Sequence, residues 1–134
     1  MERMVAVKIA GQECWLNFSV SALLHLGEVF GEKGTVAAVM RAILPDTAAG
    51  ALSRETMANV ALVAEELLAA GAEYRRVLYG EEVPRYTASE LEVLLSSSEF
   101  ICLHAAVIKA VQAGMERTVE TEADPKKAKT TQGK

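Results

Sequence analysis

The chain has 134 residues, with 14 lysines and arginines against 18 aspartates and glutamates, and a formal net charge of −4. This length fits one domain that buries roughly two thirds of its unfolded surface. Nucleic-acid-binding domains usually carry a basic surface that faces the phosphates, so the acidic balance argues against that class of partner. No stretch reaches the ~18 uninterrupted apolar residues of a membrane span, and the N-terminus lacks a signal-peptide pattern. We therefore expect a cytoplasmic protein that binds neither nucleic acid nor membrane.

The first predicted element is a β-hairpin within residues 5–17. Large and small or polar residues alternate in Val5–Ile9, Gly11-Gln12 offers a turn, and a second alternating run follows in residues 13–18. Two period-two runs around a turn glycine are typical of a hairpin. Because an isolated hairpin is marginally stable in water, one of its faces should lie on helices, with Trp15 at the edge of that face.

Apolar residues at helical spacing predict about five helices after the hairpin. Hydroxyl residues are available as N-caps, and Thr87 and Glu90 form a capping box. In the first helix, Val20, Leu23 and Leu24 belong to one apolar stripe that should face the core. The predicted helices cover residues 19–30, 36–44, 53–70, 87–95 and 99–119, with Gly71 ending the third and a short helical turn at 72–79 following it.

The last predicted helix has an apolar arc wide enough to contact several neighbours. It should be either the centre of the core or a surface shared with another copy of the chain, so a homo-oligomer is possible. Residues 120–134 contain Pro125 and no apolar residue larger than alanine, which predicts a disordered tail. The fold class is therefore mainly α with a small N-terminal hairpin, in one domain of residues 1–119.

Candidate reactive side chains are few. His25 and His104 could form part of a metal site or serve a small enzyme, but they lack the local ligand spacing of zinc sites. A half-buried His104 bonded to a backbone carbonyl is the favoured interpretation. Cys14 is expected to be a small core residue, and Cys102 points away from His104 along the helix. We expect no cofactor, no metal and no catalytic activity.

One basic segment is interleaved with aromatic residues. It could stack nucleic-acid bases, but Glu73, Glu81 and Glu82 neutralise its charge. Loops rich in tyrosine and arginine are common at protein interfaces. We therefore predict that residues 73–86 form a loop that binds a protein partner, with the contacts made by Tyr74, Arg75, Tyr79, Arg85 and Tyr86.

In its layout the chain resembles the tail assembly chaperones of long-tailed bacteriophages and their prophages. The similarity lies in the strand–turn–strand over residues 5–18, the helix Ser21–Gly31 that follows it, the Thr87-x-x-Glu90 helix start and the lysine-containing C-terminus. The resemblance implies a non-enzymatic protein that coats the helical tape-measure protein, keeps it soluble and helps recruit tail-tube subunits. No functional residue follows from it. The alternative is a helical adaptor or regulatory subunit of another bacterial complex.

Overall fold

The computed structural model describes residues 4–30, 36–47, 50 and 52–115. These residues form a two-stranded antiparallel hairpin followed by five helices, which confirms the predicted fold class. The elements are the strands β1 (Val5–Ile9) and β2 (Gln12–Leu16) and the helices α1 (Val20–Phe30), α2 (Val36–Ile43), α3 (Arg54–Tyr79), α4 (Ala88–Leu94) and α5 (Ser97–Met115).

The hairpin turns through Ala10 and Gly11, whose φ angles are 53° and 81°. Positive φ at both central residues defines a type I′ turn, which matches the twist of the two strands. Strand pairing places Val7 opposite Cys14 and Val5 opposite Leu16. The face made by these side chains and Ile9 packs on the helices, as the alternation predicts.

Most helix starts agree with the capping predictions, although α5 begins at Ser97 and not at the predicted Glu99. The Thr87 hydroxyl accepts from the Glu90 amide while the Glu90 carboxylate accepts from the Thr87 amide, a complete capping box. Ser96 and Glu99 repeat the arrangement at the start of α5. The Ser53 hydroxyl caps α3 by accepting from the Thr56 amide.

The prediction that Gly71 ends the third helix is wrong. Helix α3 continues through it for 26 residues and ends at Gly80, whose φ of 70° suits a left-handed C-cap. Gly71 instead permits close contact with β2: a Cβ placed there would lie 2.0 Å from the carbonyl oxygen of Trp15. The predicted turn at 72–79 is therefore the last part of α3, and residues 73–79 are helix rather than loop.

The orientation of α1 also differs from the prediction. Its fully buried residues are Ala22 and Leu26, whereas Val20 and Leu24 are 75% and 65% exposed. The small Ala22 side chain suits a close approach to the neighbouring helices α2 and α3. The predicted apolar stripe is therefore divided between the core and the surface.

Helix α5 is part of the core, but α3 has the most neighbours, because β2, α1, α2, α4 and α5 all pack on it. Helix α5 packs against β1, β2, α2 and α3, and its Leu103, Val107 and Val111 are buried. The wide apolar arc thus serves several neighbours within one chain. The predicted end of this helix at 119 and the predicted tail at 120–134 lie outside the described residues. Among the described helices, none combines the length and apolar character that crossing a bilayer requires.

Candidate protein-binding surface

The five residues predicted to bind a partner fall into two separate groups. Arg75 and Tyr79 lie on one side of α3 next to the hairpin, while Tyr74, Arg85 and Tyr86 line depressions on another side. Consecutive helical residues point about 100° apart, which separates Tyr74 from Arg75 despite their adjacency. The structure therefore does not assemble the five side chains into one surface.

Arg75 has an intramolecular role. Its guanidinium carbon lies 4.5 Å from the Trp15 ring centre and 4.8 Å from that of Tyr79. Its Nε donates to Glu81 at 2.8 Å, and this hydrogen bond lowers the pKa of the Glu81 carboxyl. Only 16% of the Arg75 side chain is exposed. The residue therefore joins the hairpin, the end of α3 and the following segment, and it is poorly placed to contact a partner.

The main depression near the predicted residues is a cleft of about 530 Å³ between α1 and α3, which we name the α1–α3 cleft. Tyr74 and Val77 contribute apolar surface to it, and Arg85 reaches it from the segment before α4. Its polar side chains include His25 and Glu66, whose Nδ1 and Oε1 lie 3.4 Å apart. The lining residues are Asn17, Ser19, Ser21, Ala22, His25, Glu66, Ala69, Ala70, Glu73, Tyr74, Val77 and Arg85.

A second depression of about 340 Å³ adjoins the α1–α3 cleft, since both share Asn17, Ser19 and Tyr74 as lining residues. The second depression adds Met4, Val20 and Gly114. Together the two depressions follow α1 and α3 towards the end of α5. We name the two adjoining depressions together the trough; both include Tyr74, one of the predicted partner-binding residues.

The charges near the cleft are largely paired. Glu73 bonds the Arg76 guanidinium, and this hydrogen bond is the main cause of the lowered pKa of the Glu73 carboxyl, with a smaller contribution from Arg85. Tyr86 is half-buried and packs against the hydrophobic core, so much of its ring supports the fold. Tyr74, Tyr79 and Arg85 are the exposed members of the predicted set, but Tyr79 lies beside Arg75 and outside the cleft.

His104 behaves as the favoured interpretation predicts. It is buried, and its Nε2 lies 2.6 Å from the carbonyl oxygen of Ile43, the last residue of α2. His25 instead lies near Glu66. The two imidazoles therefore have different partners, and no group of three potential metal ligands occurs within residues 4–30, 36–47, 50 and 52–115.

The two cysteines differ in environment. Cys14 is buried in the hairpin face, and burial raises the pKa of its thiol, with a further contribution from Glu13. Cys102 is exposed on α5. A buried thiol with a raised pKa is a poor nucleophile, so Cys14 is a core residue as predicted.

Sequence reasoning missed the exposed aliphatic residues, because periodicity assigned several of them to the core. Val20 and Leu24 on α1 and Val77 on α3 are all more than half exposed, as are Val93 on α4 and Ile101 on α5. A helical pattern marks an apolar face but does not say what covers it. No family model, curated protein or solved structure matches this chain.

Proposed function

We propose that this protein is a non-enzymatic chaperone that binds amphipathic helical segments, and that it acts in the bacterial cytoplasm during phage tail assembly. Its main client is then the tape-measure protein, with tail-tube subunits recruited to the same complex. The phage assignment rests on the layout resemblance. The observation that carries the binding role is the trough along α1 and α3, with Val20, Tyr74 and Val77 on its surface.

The trough fits a helix better than it fits a small polar substrate. Amphipathic helices bind by placing apolar side chains at positions i, i+3, i+4 and i+7 into a shallow apolar groove. Val20 on α1 lines the trough and is 75% exposed. Tyr74 and Val77 line it from α3, where they lie three positions apart on one side of the helix. Two facing helices with exposed apolar residues can thus hold a third.

The proposal is tested by co-expressing the full chain with the tape-measure protein of the same phage or prophage and measuring how much of that protein stays in solution. Val77→Asp should reduce both co-purification and solubilisation, because it places a charge on the apolar wall of the trough. The matched control is Val93→Asp, which changes a still more exposed valine on α4 outside the trough. Equal effects of the two variants, or no solubilisation by the unmodified chain, would contradict the proposal.

The alternative function, an adaptor in another bacterial complex, uses the same trough with a different helical client. It predicts that the unmodified chain leaves the tape-measure protein insoluble, while Val77→Asp still abolishes capture of the true partner. Thus the outcome with the tape-measure protein separates the two functions. The paired valine variants test the binding surface in either case.

A further inference from the structure

The two outer edges of the hairpin differ in what covers them. In a type I′ hairpin with a two-residue turn, the residues that flank the turn form a hydrogen-bonded pair, and bonded and non-bonded pairs then alternate along the ladder. Ile9–Gln12, Val7–Cys14 and Val5–Leu16 are consequently the bonded pairs. The main-chain groups of Ala6 and Lys8 on β1, and of Glu13 and Trp15 on β2, therefore point outwards.

Helix α3 occupies the outer edge of β2. The Trp15 carbonyl faces Gly71, and two residues further along the same edge the Asn17 amide donates to the Leu67 carbonyl at 3.1 Å. These contacts confirm the outward orientation deduced from the register. They also leave this edge closed to another strand.

The outer edge of β1 has no such cover among the described residues. No hydrogen bond beyond the β1–β2 ladder involves the main chain of Ala6 or Lys8 in that part of the chain, and both residues are exposed. The sequence Val5–Ile9 contains no proline, glycine or bulge that would keep a second strand away. Lys8, a residue type that can protect an edge strand, is the single charge on this strand and lies on its exposed face.

We infer that β1 pairs antiparallel with β1 of a second copy of this chain, across a two-fold axis at Val7, to form a four-stranded sheet. In this register Ala6 lies opposite Lys8 of the other copy, and these pairs exchange the outward N–H and C=O groups. Val7 faces its own equivalent, and Val5 faces Ile9 of the other copy. The interface is isologous, as a closed dimer requires.

Side-chain chemistry favours a second copy as the occupant. The register continues one apolar row of Val5, Val7 and Ile9 through both copies, on the face that already packs on helices. On the opposite face each Lys8 meets an alanine, so no like charges are opposed. The pairing does not involve the trough and stands independently of the proposed function.

The test is sedimentation velocity of the full chain over a concentration series, in which the mass should rise from 14.4 kDa towards twice that value. Ala6→Lys opposes two lysines at each of the two symmetry-related pairs and should weaken dimerisation roughly 2- to 30-fold, while Ala6→Glu should strengthen it by a similar factor. Both substitutions lie at an exposed position on the solvent face, so the monomer fold should be retained.

Lys8→Pro provides an independent test, because it removes an outward N–H without removing a bond of the hairpin ladder. It should weaken the dimer roughly 5- to 100-fold, whereas Lys8→Thr, which keeps the N–H, should not. In the unmodified chain the amides of Ala6 and Lys8 should exchange more slowly with deuterium as concentration rises. The inference would be overturned if the chain were monomeric at every concentration, or if none of these variants changed the dimerisation constant. It would also be overturned if the amides of Ala6 and Lys8 were protected from exchange only after an extended peptide was added.

Discussion

The guanidinium of Arg75 lies over the indole of Trp15, 4.5 Å from its centre, and so joins the last turns of α3 to the solvent side of the hairpin. Tyr79, one helical turn later, covers the same guanidinium. The planar cation is held between two aromatic rings and bonded to Glu81. This arrangement explains why an arginine that was predicted to contact a partner stabilises the fold instead.

Arg75→Ala should destabilise the fold by about 0.5–1 kcal/mol for each lost aromatic contact. Trp15 is the sole tryptophan, so its fluorescence reports the change directly: the emission should shift to longer wavelength as water reaches the ring. Arg76→Ala is the matched control, because Arg76 is exposed and pairs only with Glu73 among the described residues. A similar spectral shift in both variants would contradict a specific role for Arg75.

Gly71→Ala should destabilise the protein by about 1–3 kcal/mol or more, although alanine is the better helix former by about 1 kcal/mol. The reason is the 2.0 Å approach of the new Cβ to the Trp15 carbonyl oxygen, a main-chain atom that cannot move alone. Gly114→Ala should cost less, because its Cβ would lie 2.7 Å from the Phe18 carbonyl. Urea unfolding of the two variants measures which of them loses more free energy of unfolding. Stabilisation by Gly71→Ala would show that the hairpin can move away from α3.

His104→Leu should destabilise the fold by about 1–3 kcal/mol, since the buried Ile43 carbonyl loses its donor while the volume of the side chain is roughly kept. His25→Leu, at a mostly exposed position, serves as control and should have little effect on the free energy of unfolding. If urea unfolding showed equally small losses of free energy for His104→Leu and His25→Leu, the contact between α2 and α5 would not depend on this hydrogen bond.

Asp46 predicts a pH dependence. It accepts from the Ser53 amide and from the Thr56 hydroxyl, and these bonds lower the pKa of its carboxyl, the Ser53 bond most strongly. A lowered folded-state pKa means that its stabilising effect is fully present above the unfolded value of about 3.9. The effect is lost as the pH falls through the folded-state value.

Asp46→Asn should therefore lower the melting temperature at neutral pH, and the difference from the unmodified chain should disappear in strong acid. Glu28→Gln, which removes an exposed carboxylate of α1 that has no recorded bond among the described residues, is the control for the general loss of negative charge. A difference that persisted unchanged into strong acid would assign the effect of Asp46→Asn to packing.

Local features were predictable because neighbouring residues decide them. The hairpin, the capping box of Thr87 and Glu90, and the cap at Ser53 each depend on residues close together in the chain. The turn itself lies at Ala10-Gly11, one residue before the predicted Gly11-Gln12. The fold class followed from the helix starts and from apolar spacing. His104 was also predictable, because a buried imidazole almost always finds a hydrogen-bond partner.

The sequence by itself thus determined the hairpin, the number of helices and where most of them begin. Only the tertiary structure decided that Gly71 continues a helix, that Arg75 stacks on Trp15, and that Val20 and Leu24 face solvent. In the sequence, a glycine that ends a helix cannot be distinguished from one that allows close contact with a neighbouring backbone. An apolar stripe packed against another element likewise cannot be distinguished from one exposed to solvent. The difference is set by contacts between residues far apart in the chain, which local spacing does not encode.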